Sequence, residues 1–205
     1  MEYFLYPHMR NKYYSEVKDL PAPLRESRLF QYCLEETPVF FRDTDRIAGW
    51  YGYEDNAPEP LPPSPPFPGE SRMTPEDREM HAAFQNSLAM QILYTNAHTC
   101  INYGEIVDKG LRHFCGRVEE ALRETPDNVY LQAMRNSLDA AIRYAGRYAE
   151  LAKQYAENSR TEEERARFRR IYRALCQVPE HPARDFLEGV QAVWLLHTMV
   201  PIADR

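Results

Sequence analysis

Leu131-Gln132-Ala133-Met134-Arg135-Asn136-Ser137-Leu138-Asp139-Ala140-Ala141-Ile142-Arg143-Tyr144-Ala145-Gly146-Arg147-Tyr148-Ala149-Glu150-Leu151-Ala152 is the stretch that decides the fold. Its apolar stripe is Leu131, Met134, Leu138, Ile142, Ala145, Ala149 and Ala152. Steps of three and four are gathered onto one side only by an α-helix. Thr125-Pro126-Asp127 just ahead supplies a capping hydroxyl, a proline and an acid, which predicts the helix start. The alanines that end the stripe predict close approach of a neighbouring helix rather than an open groove.

The same pattern continues on both sides. Thr161-Glu162-Glu163-Glu164 is a capping box, and Phe168, Ile171, Tyr172 and Leu175 follow on one face. Pro179 and Pro182 stop that helix and introduce a last one, Ala183 to Met199, predicted to bury Phe186, Val190, Val193, Trp194 and Leu196. Upstream, one helix is predicted over Tyr103 to Arg123, with Ile106, Gly110, Phe114, Val118 and Leu122 aligned. Thr74-Pro75-Glu76-Asp77 opens another, with Met80, Phe84, Leu88 and Ile92 at spacings of four. The fold class is therefore mainly α, a bundle-like helical unit over residues 76–205.

Ahead of it, residues 58–75 carry eight prolines. Proline fixes φ and removes an amide donor, so this stretch is predicted to be a semi-rigid connector or a loop wrapped over a surface. Pro62-Pro63-Ser64-Pro65 has the PxxP spacing, but a spacer needs nothing further from so common a composition. Residues 1–57 are predicted as a Tyr-rich arm to residue 22, a short helix over Leu24 to Glu36, and a small β-hairpin. The helix stripe is Leu29, Phe30, Cys33 and Leu34, and Pro38 closes it. The hairpin would pair Val39-Phe40-Phe41 with Arg46-Ile47-Ala48-Gly49 about the turn Asp43-Thr44-Asp45.

Composition narrows the functional classes. The chain has 205 residues, 43% of them hydrophobic, and a net charge of −6. A nucleic-acid partner is not expected, because phosphate neutralisation needs clustered Lys and Arg. The basic run Arg165, Arg167, Arg169, Arg170 and Arg173 follows Glu162, Glu163 and Glu164, which makes it a self-paired, solvated helix face. A membrane span is not expected either, since the longest apolar patch, Val190 to Val200, contains Gln191, His197 and Thr198. Met1 to Arg10 lacks the pattern of a secretory signal, and Cys33, Cys100, Cys115 and Cys176 form no CxxC pair. Reduced thiols and a cytoplasmic location follow.

Local chemistry motifs are weak. His98-Thr99-Cys100 and His113-Phe114-Cys115 each offer an imidazole and a thiolate, but His113 and Cys115 lie two apart on a helix and face different ways. Cys33 and Cys176 have no local signature of a nucleophile with its base. Glu119-Glu120 sits on a polar helix face, and no glycine-rich phosphate loop is present. No metal and no cofactor bound by this chain is expected.

Several ordered motifs say more. The segment Cys176-Gln177-Val178-Pro179-Glu180-His181-Pro182-Ala183-Arg184-Asp185-Phe186-Leu187-Glu188-Gly189-Val190-Gln191-Ala192-Val193-Trp194 resembles the Cys-x-x-Val-Pro stop and Glu-x-x-Gln-x-x-Trp helix of the pyruvate formate-lyase-like glycyl radical enzymes. Arg147-Tyr148-Ala149 is similar to that family's Arg-Tyr-Ala helix. His98, Asn102-Tyr103 and Gly110-Leu111 match its His-x-x-x-(Asp/Asn)-Tyr and Gly-Leu pattern, and Asp45-Arg46-Ile47-Ala48-Gly49 resembles its early Arg-Ile-x-Gly loop.

The resemblance, leaning towards the dehydratase branch, implies the N-terminal helical shell of an anaerobic enzyme several times longer. Such an enzyme cleaves C–O, C–N or C–C bonds of a small molecule by radical chemistry in a barrel. An activating enzyme with an iron–sulfur cluster and S-adenosylmethionine installs its glycyl radical. On this reading the chain is a fragment without catalytic residues of its own, and the thiyl-cysteine and glycyl-radical loops lie beyond it. Cys33-Leu34-Glu35 and Arg46-Ile47-Ala48-Gly49-Trp50 imitate those loops without their setting. His98 and Asn102 are the candidate substrate-binding residues, with His98 able to bond a hydroxyl or move a proton. The implied partner is the remainder of the enzyme or a complementary subunit, and self-association through the all-round apolar last helix is a further expectation. The alternative is a non-catalytic helical interaction module derived from the same family.

Overall fold

The computed structural model describes residues 12–49, 74–76, 78–80 and 101–203, with the side chains of 201–203 excepted. After a short helix over 12–17 come α1 (Ala22–Glu36), α2 (Tyr103–Lys109), α3 (Leu111–Glu124), α4 (Val129–Asn158), α5 (Glu162–Leu175) and α6 (Phe186–Ala203). Residues 75, 76 and 78–80 are also helical. The chain is mainly α, and no strand occurs among the described residues. Residues 58–73 of the predicted connector and 81–100 of the predicted Thr74 helix lie outside the described residues.

The 30-residue α4 is the axis, about 45 Å long at 1.5 Å per residue. α1, α5 and α3 pack on it, and α6 packs against α1, α2, α5 and α4. Ala140, Ala141, Ala145, Ala149, Ala152 and Ala156 are buried, so neighbouring helices meet α4 largely over methyl groups. Between them stand the fully buried rings of Tyr144 and Tyr148, edge to face at 5.4 Å.

The predicted inward stripe of α4 holds only in its second half. Leu131 and Leu138 are half-buried and Met134 is 54% exposed. Together with Phe30, Ile106, Phe114 and Val118 they line a cavity of about 900 Å³ between α1, α2, α3 and α4. The cap of α4 also differs. Asn128, not the Thr125-Pro126-Asp127 trio, accepts from the amides of Tyr130 and Leu131 at 3.0 and 3.2 Å. The Thr125 hydroxyl turns back to the Ala121 carbonyl and closes α3 instead. At α5 the expected cap is found, with Glu164 N–H donating to the Thr161 hydroxyl at 3.2 Å.

Three further expectations are corrected. The helix predicted over Tyr103 to Arg123 is two helices, broken at Gly110 with φ +72°. The first amides of α3 are claimed by another segment, Leu111 donating to Pro179 and Arg112 to Glu180, each at 2.9 Å. A Cβ at Gly110 would stand 2.5 Å from the Glu180 carbonyl oxygen, so the glycine is required twice over.

The hairpin over residues 39–49 is absent. Phe41 leaves the would-be strand to stack edgewise on Tyr148 and Phe168, at 5.7 and 5.3 Å. The backbone of Ala48 is taken by the Gln191 side chain, so neither run pairs with the other. Local β-propensity loses here to burial against α4 and α6.

In the last helix the inner face is rotated from the predicted one. Phe186 is 88% exposed and Val190 also faces outward, while Glu188, Gln191, Ala192, Leu195, Leu196, Thr198 and Met199 are buried. A helix apolar on most of its circumference gives no periodic signal of which side is inside. The polar group of Gln191 decides it, because its partner, the buried backbone of Ala48, lies on the inner side.

Candidate functional site

The motifs quoted from the sequence meet in pairs. The Arg46-Ile47-Ala48-Gly49 loop lies on the Glu-x-x-Gln-x-x-Trp helix. Ala48 N–H donates to Gln191 Oε1 at 2.7 Å, Gln191 Nε2 donates to the Ala48 carbonyl at 2.9 Å, and Trp194 Nε1 donates to the Gly49 carbonyl at 2.9 Å. Gly49 has φ +111°, and a Cβ there would press on Trp194, Leu195 and Thr198 at 3.2–3.3 Å. Gly110-Leu111 meets the Val178-Pro179-Glu180-His181 segment through the two backbone bonds above and the Arg112–Glu180 ion pair at 2.6 Å. Arg147 donates to the Leu34 carbonyl in the last turn of α1, while Tyr148 packs on Phe41.

Glu188, the remaining motif residue, is a buried carboxylate. It accepts from the Arg184 amide at 2.7 Å and from the Arg184 guanidinium, and the Glu188 N–H donates to Asp185 Oδ1 at 2.9 Å. The hydrogen bond from Arg184 outweighs burial and holds the Glu188 carboxyl below its ordinary range.

Of the two predicted substrate-binding residues, His98 lies outside the described residues. Asn102 is described, and its side chain is engaged in capping α2: Oδ1 accepts from Glu105 N–H at 3.4 Å and Nδ2 donates to Glu105 Oε2 at 3.1 Å. The next residue carries a group the sequence reading passed over. Tyr103 Oη lies 3.2 Å from Nδ1 of His197, an exposed residue of α6, and the Trp194 indole stands beside that imidazole at 6.2 Å between centroids. A hydroxyl, an imidazole and an indole from α2 and α6 thus gather where Asn102 begins α2. The only advance signal was adjacency, since Tyr103 follows Asn102, and His197 lies three residues beyond Trp194.

Cys33 and Gly49 of the imitation motifs are both closely packed. Cys33 is fully buried inside α1, and burial pushes its thiol up to about 12, away from the reactive thiolate. Its carbonyl takes both the N–H and the hydroxyl of Thr37. Gly49 is pinned under Trp194 as described. His113 is exposed and Cys115 buried, on different faces of α3, and no cluster of three metal-ligating side chains occurs among the described residues.

The chain has counterparts among known proteins. A model of the pyruvate formate lyase-like family matches residues 69–204. The chain belongs to the pyruvate formate lyase-like family. Its structure is similar to the glycerol-bound form of the B12-independent glycerol dehydratase from Clostridium butyricum, with a TM-score of 0.70 and 19% identity over 97% of this chain and 32% of that one. A glycyl radical enzyme from Archaeoglobus fulgidus gives 0.68 at 22% identity, over 95% of this chain and 31% of that one. Hydroxyproline dehydratase from Clostridioides difficile, with trans-4-hydroxy-L-proline bound, gives 0.66 at 19%, over 97% and 31%. The pyruvate formate lyase-like chain thus spans about a third of the length of the structures it matches. At these identities the likeness shows the shared fold, and the resemblance drawn from the sequence is borne out.

Proposed function

We propose that this chain is the N-terminal helical shell of a glycyl radical enzyme that cleaves C–O, C–N or C–C bonds of a small molecule, in the manner of a dehydratase. The observation that carries the reading is the family match over residues 69–204 together with superposition of nearly the whole chain on one third of each dehydratase. The shell is not competent alone on this reading. Its two imitation motifs are used in packing, with Cys33 buried and Gly49 held by Trp194. The chemistry belongs to the remaining two thirds of such a fold, where a glycyl radical made by an activating enzyme is the cofactor. A cytoplasmic setting accords with this, and no helix among the described residues is long and apolar enough to cross a membrane.

His98 and Asn102 remain the proposed substrate-side residues, with Asn102 acting by fixing the start of α2 and so the place of Tyr103. The partner surface is the outer stripe of α6, where Phe186 and Val190 are exposed and Val193 and Trp194 half-buried. Leaving large apolar side chains in water is costly, so this stripe is covered by the complementary part of the enzyme or, in its absence, by a second copy.

Sequencing the gene past codon 205 tests the reading. A continuing frame with the Gly-Cys-x-Glu and Arg-Val-x-Gly-Tyr loops, or a neighbouring gene that carries them and whose product co-purifies with this chain, supports it. A stop codon and a chain that associates with no such product would leave the interaction-module alternative in its place.

A further inference from the structure

We draw no further inference here: the strongest candidate, the apolar cavity of about 900 Å³ between α1, α2, α3 and α4, is an unpartnered apolar face, and nothing among the described residues shows what covers it.

Discussion

Gln191 grips the backbone of Ala48 with both ends of its carboxamide, the amide of Ala48 donating to Oε1 and Nε2 donating to its carbonyl. The two residues are 143 positions apart, and both are buried. A side chain here does what a second strand would do, satisfying a buried donor and acceptor that would otherwise be orphaned. Replacing Gln191 with Leu keeps the volume and removes both bonds. The expected loss is about 3 kcal/mol, from two unsatisfied buried groups. Urea unfolding of the isolated chain checks it, and a change below about 0.5 kcal/mol, the level of ordinary surface substitutions, would show the clamp to be dispensable.

Gly110 and Gly116 should respond to alanine in opposite directions. At Gly110 the φ of +72° and the Glu180 carbonyl 2.5 Å from the added Cβ both oppose substitution, so Gly110→Ala should cost about 2 kcal/mol or more. Gly116 sits within α3 with nothing within 4 Å of a Cβ, and Gly116→Ala should stabilise by about 0.5–1 kcal/mol. Thermal unfolding of the two variants side by side reads the sign directly.

Thiol accessibility separates the cysteines. In a Cys100→Ser background, a chromogenic disulfide reagent at pH 8 should titrate Cys176, which is exposed, while Cys33 and Cys115 react only after denaturation. Burial raises both protected thiols, Cys33 to about 12. Rapid native labelling of Cys33, mapped by peptide mass, would contradict the packing role given to it here.

Glu188 gives the chain an acid-side dependence. Its folded-state pKa is depressed by Arg184, so the carboxylate contributes stability that is fully present above its unfolded value near 4.5. That contribution is lost as pH falls through the lower folded-state value. Glu188→Gln should flatten the fall in melting temperature below about pH 4.5, an expectation read from thermal scans at a series of acid pH values. Parallel curves for the two proteins would assign the acid sensitivity to other carboxylates.

The outer face of α6 predicts concentration-dependent association of the chain alone. Phe186→Ser with Val190→Ser changes two exposed positions and leaves the inner face intact. Sedimentation should show self-association in the parent chain and a monomer in the double variant. A parent that stays monomeric at high concentration would remove self-association through α6 from the reading.

Helix identity was legible in the sequence because the signal is local. The steps of three and four in the second half of α4, the Thr161 cap of α5 and the Leu29, Cys33, Leu34 stripe of α1 each lie within one element, and each appears in the structure as read. The order of the family motifs was legible for the same reason. Their meaning as contact pairs was not, since residue 48 meets 191 and residue 110 meets 180 only after the chain has folded back.

What the tertiary structure alone decided is which local preference yields. Val39 to Gly49 has strand-like composition, but Phe41 gains more by burial against Tyr148 and Phe168, and Ala48 finds its hydrogen bonds on Gln191. Tyr103 to Arg123 has one helical period, but the approach of Glu180 breaks it at Gly110. In α6 apolar residues surround the helix, so periodicity is silent, and the inner side is set by where Ala48 and Gly49 present their backbone groups. The sequence by itself determined a mainly α chain with this family's motifs. The partner of each buried polar group decided how those helices face one another, because an unpaired group in the interior costs more than a local propensity gains.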